Sequence, residues 1–188
     1  MAKLVESVYG DALFELALEE GRLDEFSEEA QCILRVLELN PDLTVMMTHP
    51  QITKEEKLNV IDSVFSGRVS KETQELLRLL AEKDHFSAAE KVFSYVSDRI
   101  KAEKKIGVAY VHTPIELSKA QCDQVEAKLL ETTDFQSLEM HYETDPSLIG
   151  GMVIRIGDRI VDSSISSRLH RLSRELSEIQ LKAGESTP

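Results

Sequence analysis

From Lys3 to Glu20 the apolar residues Val5, Tyr9, Ala12, Leu13 and Leu16 recur three and four positions apart, which predicts one face of a helix. That helix carries a surplus. At 100° per residue, Leu4, Phe14 and Leu18 project from its other side, where a plain bundle helix is polar. Two readings fit: a helix buried on both sides, or a groove for a partner helix. A second helix turns Leu23, Phe26, Ala30, Ile33, Leu34 and Leu37 inward, with Asp24, Glu25, Glu28 and Glu29 as its solvated face. Asn40-Pro41 stops it, and a short element from Asp42 to Met47 precedes His49-Pro50. Thr53 and Glu56 form a capping box opening a helix with Leu58, Ile61, Val64 and Phe65 inward, closed at Ser66-Gly67. A fifth helix, Lys71 to Glu82, carries Leu76, Leu77, Leu79 and Leu80. A sixth, from Ser87 to about Lys104, opens on a Ser87/Glu90 capping box and buries Ala88, Val92, Phe93, Val96 and Ile100. With no strand pattern in this stretch, residues 1–105 read as an all-α six-helix bundle.

The period changes near Lys104-Lys105-Ile106-Gly107. Val108, Tyr110 and the neighbouring Val111 predict a strand, and Ser118 with Gln121 caps a helix ending near Thr132. Leu138, Met140 and Tyr142 alternate with Glu139 and His141 as a second strand. Met152 to Ile156 and Arg159 to Asp162 flank Gly157-Asp158, the pattern of a hairpin with a two-residue type II′ turn. That turn sets Ile156 opposite Arg159, Ile154 opposite Val161 and Met152 opposite Ser163, all on one mostly apolar face. Ser163-Ser164 then offers a cap for a terminal helix whose Ile165, Leu169, Leu172, Leu176 and Ile179 form one stripe, expected to pack on the Ile154, Ile156 and Val161 face. Residues 106–188 therefore read as a small α+β domain of about four strands and two helices.

Charge narrows the possible partners. The 188 residues carry a formal net charge of -12 and an isoelectric point near 4.9, which disfavours nucleic acid and anionic lipid and favours proteins. One stretch runs against this balance. Residues 151–174 hold five arginines, Arg155, Arg159, Arg168, Arg171 and Arg174, against Asp158 and Asp162. Arg168, Arg171 and Arg174 flank the terminal stripe, either as a solvated helix side or as a docking surface for an acidic partner. Cys32 and Cys122 lack any CxxC spacing and read as free thiols of a reducing compartment. No signal peptide, transit peptide or apolar run of about 20 residues is visible, so membrane association is expected only through partners.

Catalytic patterns are missing. Gly150-Gly151 leads into a strand without GxGxxG or a P-loop lysine, so it reads as a bend or close backbone approach rather than a phosphate site. Ser163, Ser164, Ser166 and Ser167 lie in no GxSxG elbow, and the five histidines have no metal-ligand spacing. The residues alone describe a non-enzymatic interaction protein of two domains, without metal or cofactor, with an RNA-associated adaptor as the alternative.

The string DPSLIGGMVIRIGDRIVDSSISSRL, with SVYGDALFELA, HPQITKEEK and ELLRLLAEKDHF before it in the same order, resembles the delta subunit family of bacterial F-type ATP synthases, the counterpart of the mitochondrial oligomycin-sensitivity-conferring protein. Two departures are visible: Ser163 stands where the family usually has glycine, and Lys83, Asp84 and His85 stand where it usually has an asparagine and an arginine. The resemblance implies a stator subunit without chemistry of its own, on the cytoplasmic face of the plasma membrane; the isolated chain is expected to be a monomer. It also implies that 1–105 binds the N-terminal helix of an alpha subunit, at Phe14, Leu18, Leu76 and Leu79, and that 106–188 binds the b subunits of the peripheral stalk. Arg168, Arg171 and Arg174 are the candidate stalk contacts.

Overall fold

The computed structural model describes residues 2–184, with side-chain surroundings for 5–174. The chain divides into two compact units, Met1–Glu103 and Lys104–Pro188. The first holds α1 (Ala2–Glu19), α2 (Leu23–Leu39), α3 (Pro41–Thr48), α4 (Lys54–Phe65), α5 (Lys71–Glu82) and α6 (Ala89–Glu103), the six-helix bundle that the apolar spacing predicts. Its core centres on α6, whose Val92, Phe93, Val96 and Ile100 are sealed from solvent and which packs on both α1 and α2. The Thr53 capping box forms, Thr53 Oγ1 accepting from the Glu56 amide at 3.3 Å while Glu56 Oε2 accepts from the Thr53 amide at 2.9 Å.

Two expectations for the bundle are corrected. Ser87 does not cap the sixth helix: Phe86–Ala88 form a 3₁₀ turn and α6 starts at Ala89, because burying the Phe86 ring draws that segment into the core. Glu29 is not on a solvated face. It is buried, its carboxylate turned across the bundle onto the start of α5.

The second unit holds β1 (Ile106–Thr113), α7 (Lys119–Thr132), β2 (Ser137–Thr144), β3 (Val153–Ile156), β4 (Arg159–Asp162) and α8 (Ile165–Gly184), making the expected α+β unit. The sheet order is β2-β1-β3-β4, with β1 and β2 parallel across α7 and the other neighbours antiparallel. One face is lined by Ala109 and Val111, both fully buried, and receives α7; Tyr142 Oη donates to the Cys122 carbonyl at 3.2 Å. Phe135 and Leu138 sit where a side chain on residue 107 would be, which only glycine permits.

The hairpin has the predicted register, Ile156 opposite Arg159 and Ile154 opposite Val161, with Gly157 at φ 54° supplying the turn. Ser163 extends it by one rung, its amide and hydroxyl both donating to the Met152 carbonyl. The cap of α8 is Ser164, whose Oγ accepts from the Ser167 amide at 3.2 Å, reinforced by the Asp162 carboxylate, which accepts from the Ser164 amide and the Ser167 hydroxyl.

The expected packing of α8 on the hairpin does not occur. Ile165, Leu169 and Leu172 are exposed, as is Val161; Leu176 and Ile179 lie outside the described side chains. The cause is local. The Ile165 amide donates to the Gly150 carbonyl, and Gly151, at φ 78°, brings its backbone against the Ser163 carbonyl. These contacts aim the first turn of α8 at the 3₁₀ turn Pro146–Leu148, away from the apolar hairpin face.

Candidate protein-interaction surfaces

In the bundle, α5 is held on two sides. Its first turn is completed from α2: Glu29 accepts from the Ser70 amide, from Ser70 Oγ at 2.8 Å and from Thr73 Oγ1 at 2.6 Å, satisfying donors that a helix start leaves open. Its flank is tied to α4 by Asp62, which accepts from Gln74 Nε2 at 2.7 Å and from Arg78 at 2.8 Å. Those bonds, Gln74 first and Arg78 second, hold the Asp62 carboxyl below its ordinary range. At the end of α1, Arg22 pairs with Glu25 and Glu20, which keep its guanidinium above its ordinary range, and reaches Glu72 of α5 at 3.7 Å.

On the same side of α5 as Glu72 lies Leu79, about 20° away around the helix. The four apolar residues that the resemblance assigns to the alpha-subunit groove divide there. Leu18 is 47% exposed and Leu79 37% exposed, on two contacting helices. Phe14, expected to project outward, is 5% exposed, and Leu76 is 9% exposed; both belong to the core. The reason for Phe14 is α6. Its Arg99 guanidinium lies 4.9 Å from the Phe14 ring centroid, and Tyr95 beside it donates to Asp11 at 2.8 Å, so the second side of α1 is half covered. Val8, 58% exposed, was missed by sequence reasoning. A signal existed: Val8 lies only about 40° from Leu4 around the helix and on the same side as Leu18.

In the second unit Arg168, Arg171 and Arg174 are exposed on α8. Arg168 and Arg171 line a cleft of about 390 Å³ with Asp162, Ser163 and Ser167. Hydrogen bonds, from the Ser167 hydroxyl first and then Ser164, hold the Asp162 carboxyl low. A larger groove of about 610 Å³ runs beside the hairpin, lined by Leu129, Phe135, Ile154, Ile156 and Val161 among others. Among the described residues there is no group of three or more His, Cys, Asp or Glu side chains arranged to hold a metal, and both cysteines are free. No helix among the described residues is long and apolar enough to cross a membrane.

Apolar helix sides in solvent, an uncovered groove, and carboxylates engaged in caps and ion pairs define a class: a two-unit subunit whose working surfaces are contacts with other proteins. Comparison with known proteins makes it specific. The ATP synthase delta (OSCP) subunit family model matches residues 5–176, and the chain belongs to that family. It is 43% identical over 181 residues to the ATP synthase subunit delta of Lachnoclostridium phytofermentans, covering 96% of this chain and 100% of that one. With the delta subunit of Halalkalibacterium halodurans it is 34% identical over 172 residues, 92% of this chain and 94% of the other. Its fold resembles that of a chain in the mitochondrial ATP synthase hexamer of Toxoplasma gondii, with a TM-score of 0.73 at 20% identity over 91% of this chain and 96% of that chain. Its role is that of a stator subunit of ATP synthase, a component of the peripheral stalk assembly.

Proposed function

We propose that the two units form two separate joints: the bundle, residues 1–105, holds the N-terminal helix of an alpha subunit, and residues 106–188 hold the b subunits of the peripheral stalk. Torque from the rotor acts on the catalytic head, and a subunit gripping head and stalk through distinct surfaces resists it without chemistry, metal or cofactor. Attachment to the membrane is indirect, on the cytoplasmic face, through the stalk.

One observation carries the alpha-subunit joint. Val8, Leu18 and Leu79 are large apolar side chains left in solvent on α1 and α5, two helices in contact, while their neighbours Leu13, Ala17, Leu76, Leu77 and Leu80 are core. An amphipathic helix laid along that side would cover all three. The alpha-helix contacts are therefore assigned to Val8, Leu18 and Leu79, with Phe14 and Leu76 as the floor beneath them.

The test is calorimetric titration of the full chain with a peptide from the cognate alpha-subunit N-terminus. Leu18→Ala and Leu79→Ala should each weaken binding by about 1–3 kcal/mol with the melting temperature unchanged. Phe14→Ala, a core truncation, should cost about 3–5 kcal/mol of stability. Wild-type affinity in both Leu18→Ala and Leu79→Ala would remove the joint from this side of the bundle.

A further inference from the structure

The second unit contains one turn that its own residue type opposes. Ile149 follows the 3₁₀ turn Pro146–Leu148 with φ 65° and ψ -40°, and the Gly150 amide donates to the Leu148 carbonyl at 2.7 Å. A bond across one intervening residue at positive φ is the rare, strained form of the γ-turn. Here its central residue is β-branched, a type for which positive φ is a true outlier. Packing does not offset the cost, since the Ile149 side chain is 66% exposed. The turn is held from outside. The Gly150 carbonyl accepts from the Ile165 amide at 2.9 Å, and Ile165 lies so close over Gly150 that a Cβ there would meet its Cδ1 at 2.6 Å. Both restraints come from the first residue of α8.

The surfaces that this arrangement keeps apart match each other. Only Ser163 and Ser164 separate β4 from α8, and the exposed Ile165, Leu169 and Leu172 of α8 follow at spacings of four and three, on one helix side about 10 Å long. The four residues of β4 span about 13 Å, and beside them runs the 610 Å³ groove lined by Ile154, Ile156 and Val161 of the hairpin with Leu129 and Phe135. A helix folded back over β4 from a two-residue connector lies along that groove, and its three apolar residues would leave water together with the exposed Val161. The bond that must break is readily replaced. Ile165 opens α8, so its amide has no partner within the helix and is satisfied by water once it leaves the Gly150 carbonyl.

We propose that α8 is a strap with two positions and that the Ile149 turn is its latch. With Ile149 at positive φ, the Gly150 carbonyl holds the Ile165 amide and the first turn of α8 is directed at Pro146–Leu148. With Ile149 relaxed to negative φ, that carbonyl swings away from the amide and α8 closes over the hairpin groove. Strain at Ile149 disfavours the first position and brings the two nearer to balance, a bias of about 5- to 150-fold for one such residue. The second unit thus carries its own cover. A single backbone torsion decides whether the apolar surfaces of the hairpin and of α8 are both presented or hide each other.

The experiment measures the distance between spin labels on Asp158→Cys, in the hairpin turn, and Arg174→Cys, on α8, in the full chain with Cys32→Ser and Cys122→Ser to remove the native thiols. With Ile149 in place the labels should show two distances, the shorter from the closed strap, in proportions that do not change when labelled chain is diluted with unlabelled chain. Ile149→Pro, whose ring fixes φ at about -65°, should enrich the shorter distance at least about fivefold. Ile149→Gly takes up positive φ without strain and should deplete it by as much, with Ile149→Asn between Gly and Ile. Thermal melts check each variant; if the Pro variant is unfolded, the order Gly, Asn, Ile decides. A single distance with Ile149 in place, or proportions indifferent to residue 149, overturns the strap. So does a shorter distance that vanishes on dilution, which makes a second copy the occupant of the groove.

Discussion

Replacing Glu29 tests how the bundle builds the wall of its groove. Glu29 sits on α2, yet its carboxylate closes the N-terminus of α5, accepting from the Ser70 amide, from Ser70 Oγ at 2.8 Å and from Thr73 Oγ1 at 2.6 Å. Thr73 is buried at 1% exposure, so its hydroxyl has no ready access to water if the carboxylate is removed. Bonds to a charged acceptor contribute about 1.5–3 kcal/mol each. Part of that is recoverable, because Ser70 Oγ already lies 3.0 Å from Thr73 Oγ1 and can satisfy one donor. Glu29→Ala should therefore cost about 3–4 kcal/mol, a large share of the 5–15 kcal/mol that stabilises a typical domain. For a unit of about 100 residues this lowers the melting temperature by roughly 12–30 °C. Glu29→Gln keeps the shape and one acceptor oxygen but loses the charge facing a helix N-terminus, and should cost about 1–2 kcal/mol. Urea unfolding of the full chain, followed by helical circular dichroism, measures both. A loss below about 0.5 kcal/mol in Glu29→Ala, or a Gln variant less stable than the Ala variant, would refute the tertiary cap.

Three further outcomes are expected. Asp162, Asp62, Glu56 and Asp145 are held below their ordinary range, chiefly by Ser167, Gln74, Thr53 and Ser147 respectively, so the stability they contribute is present above about pH 4 and lost as pH falls through their lowered values. An acid titration of Asp162→Asn should accordingly show a shallower fall below pH 4 than wild type, and an unchanged acid limb would contradict this. Gly151→Ala should destabilise the second unit by more than about 2 kcal/mol, since φ is 78° and the new Cβ would meet the Ser163 carbonyl; a melt within about 0.5 kcal/mol of wild type would show that the loop relaxes freely. Reversing Arg168, Arg171 and Arg174 to Glu should slow stalk association and flatten its salt dependence, with little change in dissociation, if the arginines steer the encounter. Surface capture at several ionic strengths would show no difference if they are solvated only.

The order and type of the elements are written locally in the chain. Helical spacing from Val5 to Ile100, the Thr53/Glu56 box and the Gly157-Asp158 turn each act within a few residues, which is why the bundle and the hairpin register are legible without any tertiary knowledge. What the chain cannot announce is which of two plausible neighbours a side chain meets. Phe14 reads as outward on a helical wheel, but burial depends on whether another helix stands there, and α6 brings Arg99 over its ring. Glu29 reads as one more acid on a polar face until the fold sets an open helix N-terminus within reach of its carboxylate. Leu169 and Leu172 fit the hairpin face in pattern, yet hydrogen bonds around Gly150 and Ser164 aim α8 elsewhere and leave both leucines, and Val161 of the hairpin, exposed. Local signals act through bonds of fixed length and turns of fixed twist, so sequence determines them; whether an apolar face ends in core or at an interface depends on where distant segments pack, and only the tertiary structure decides it.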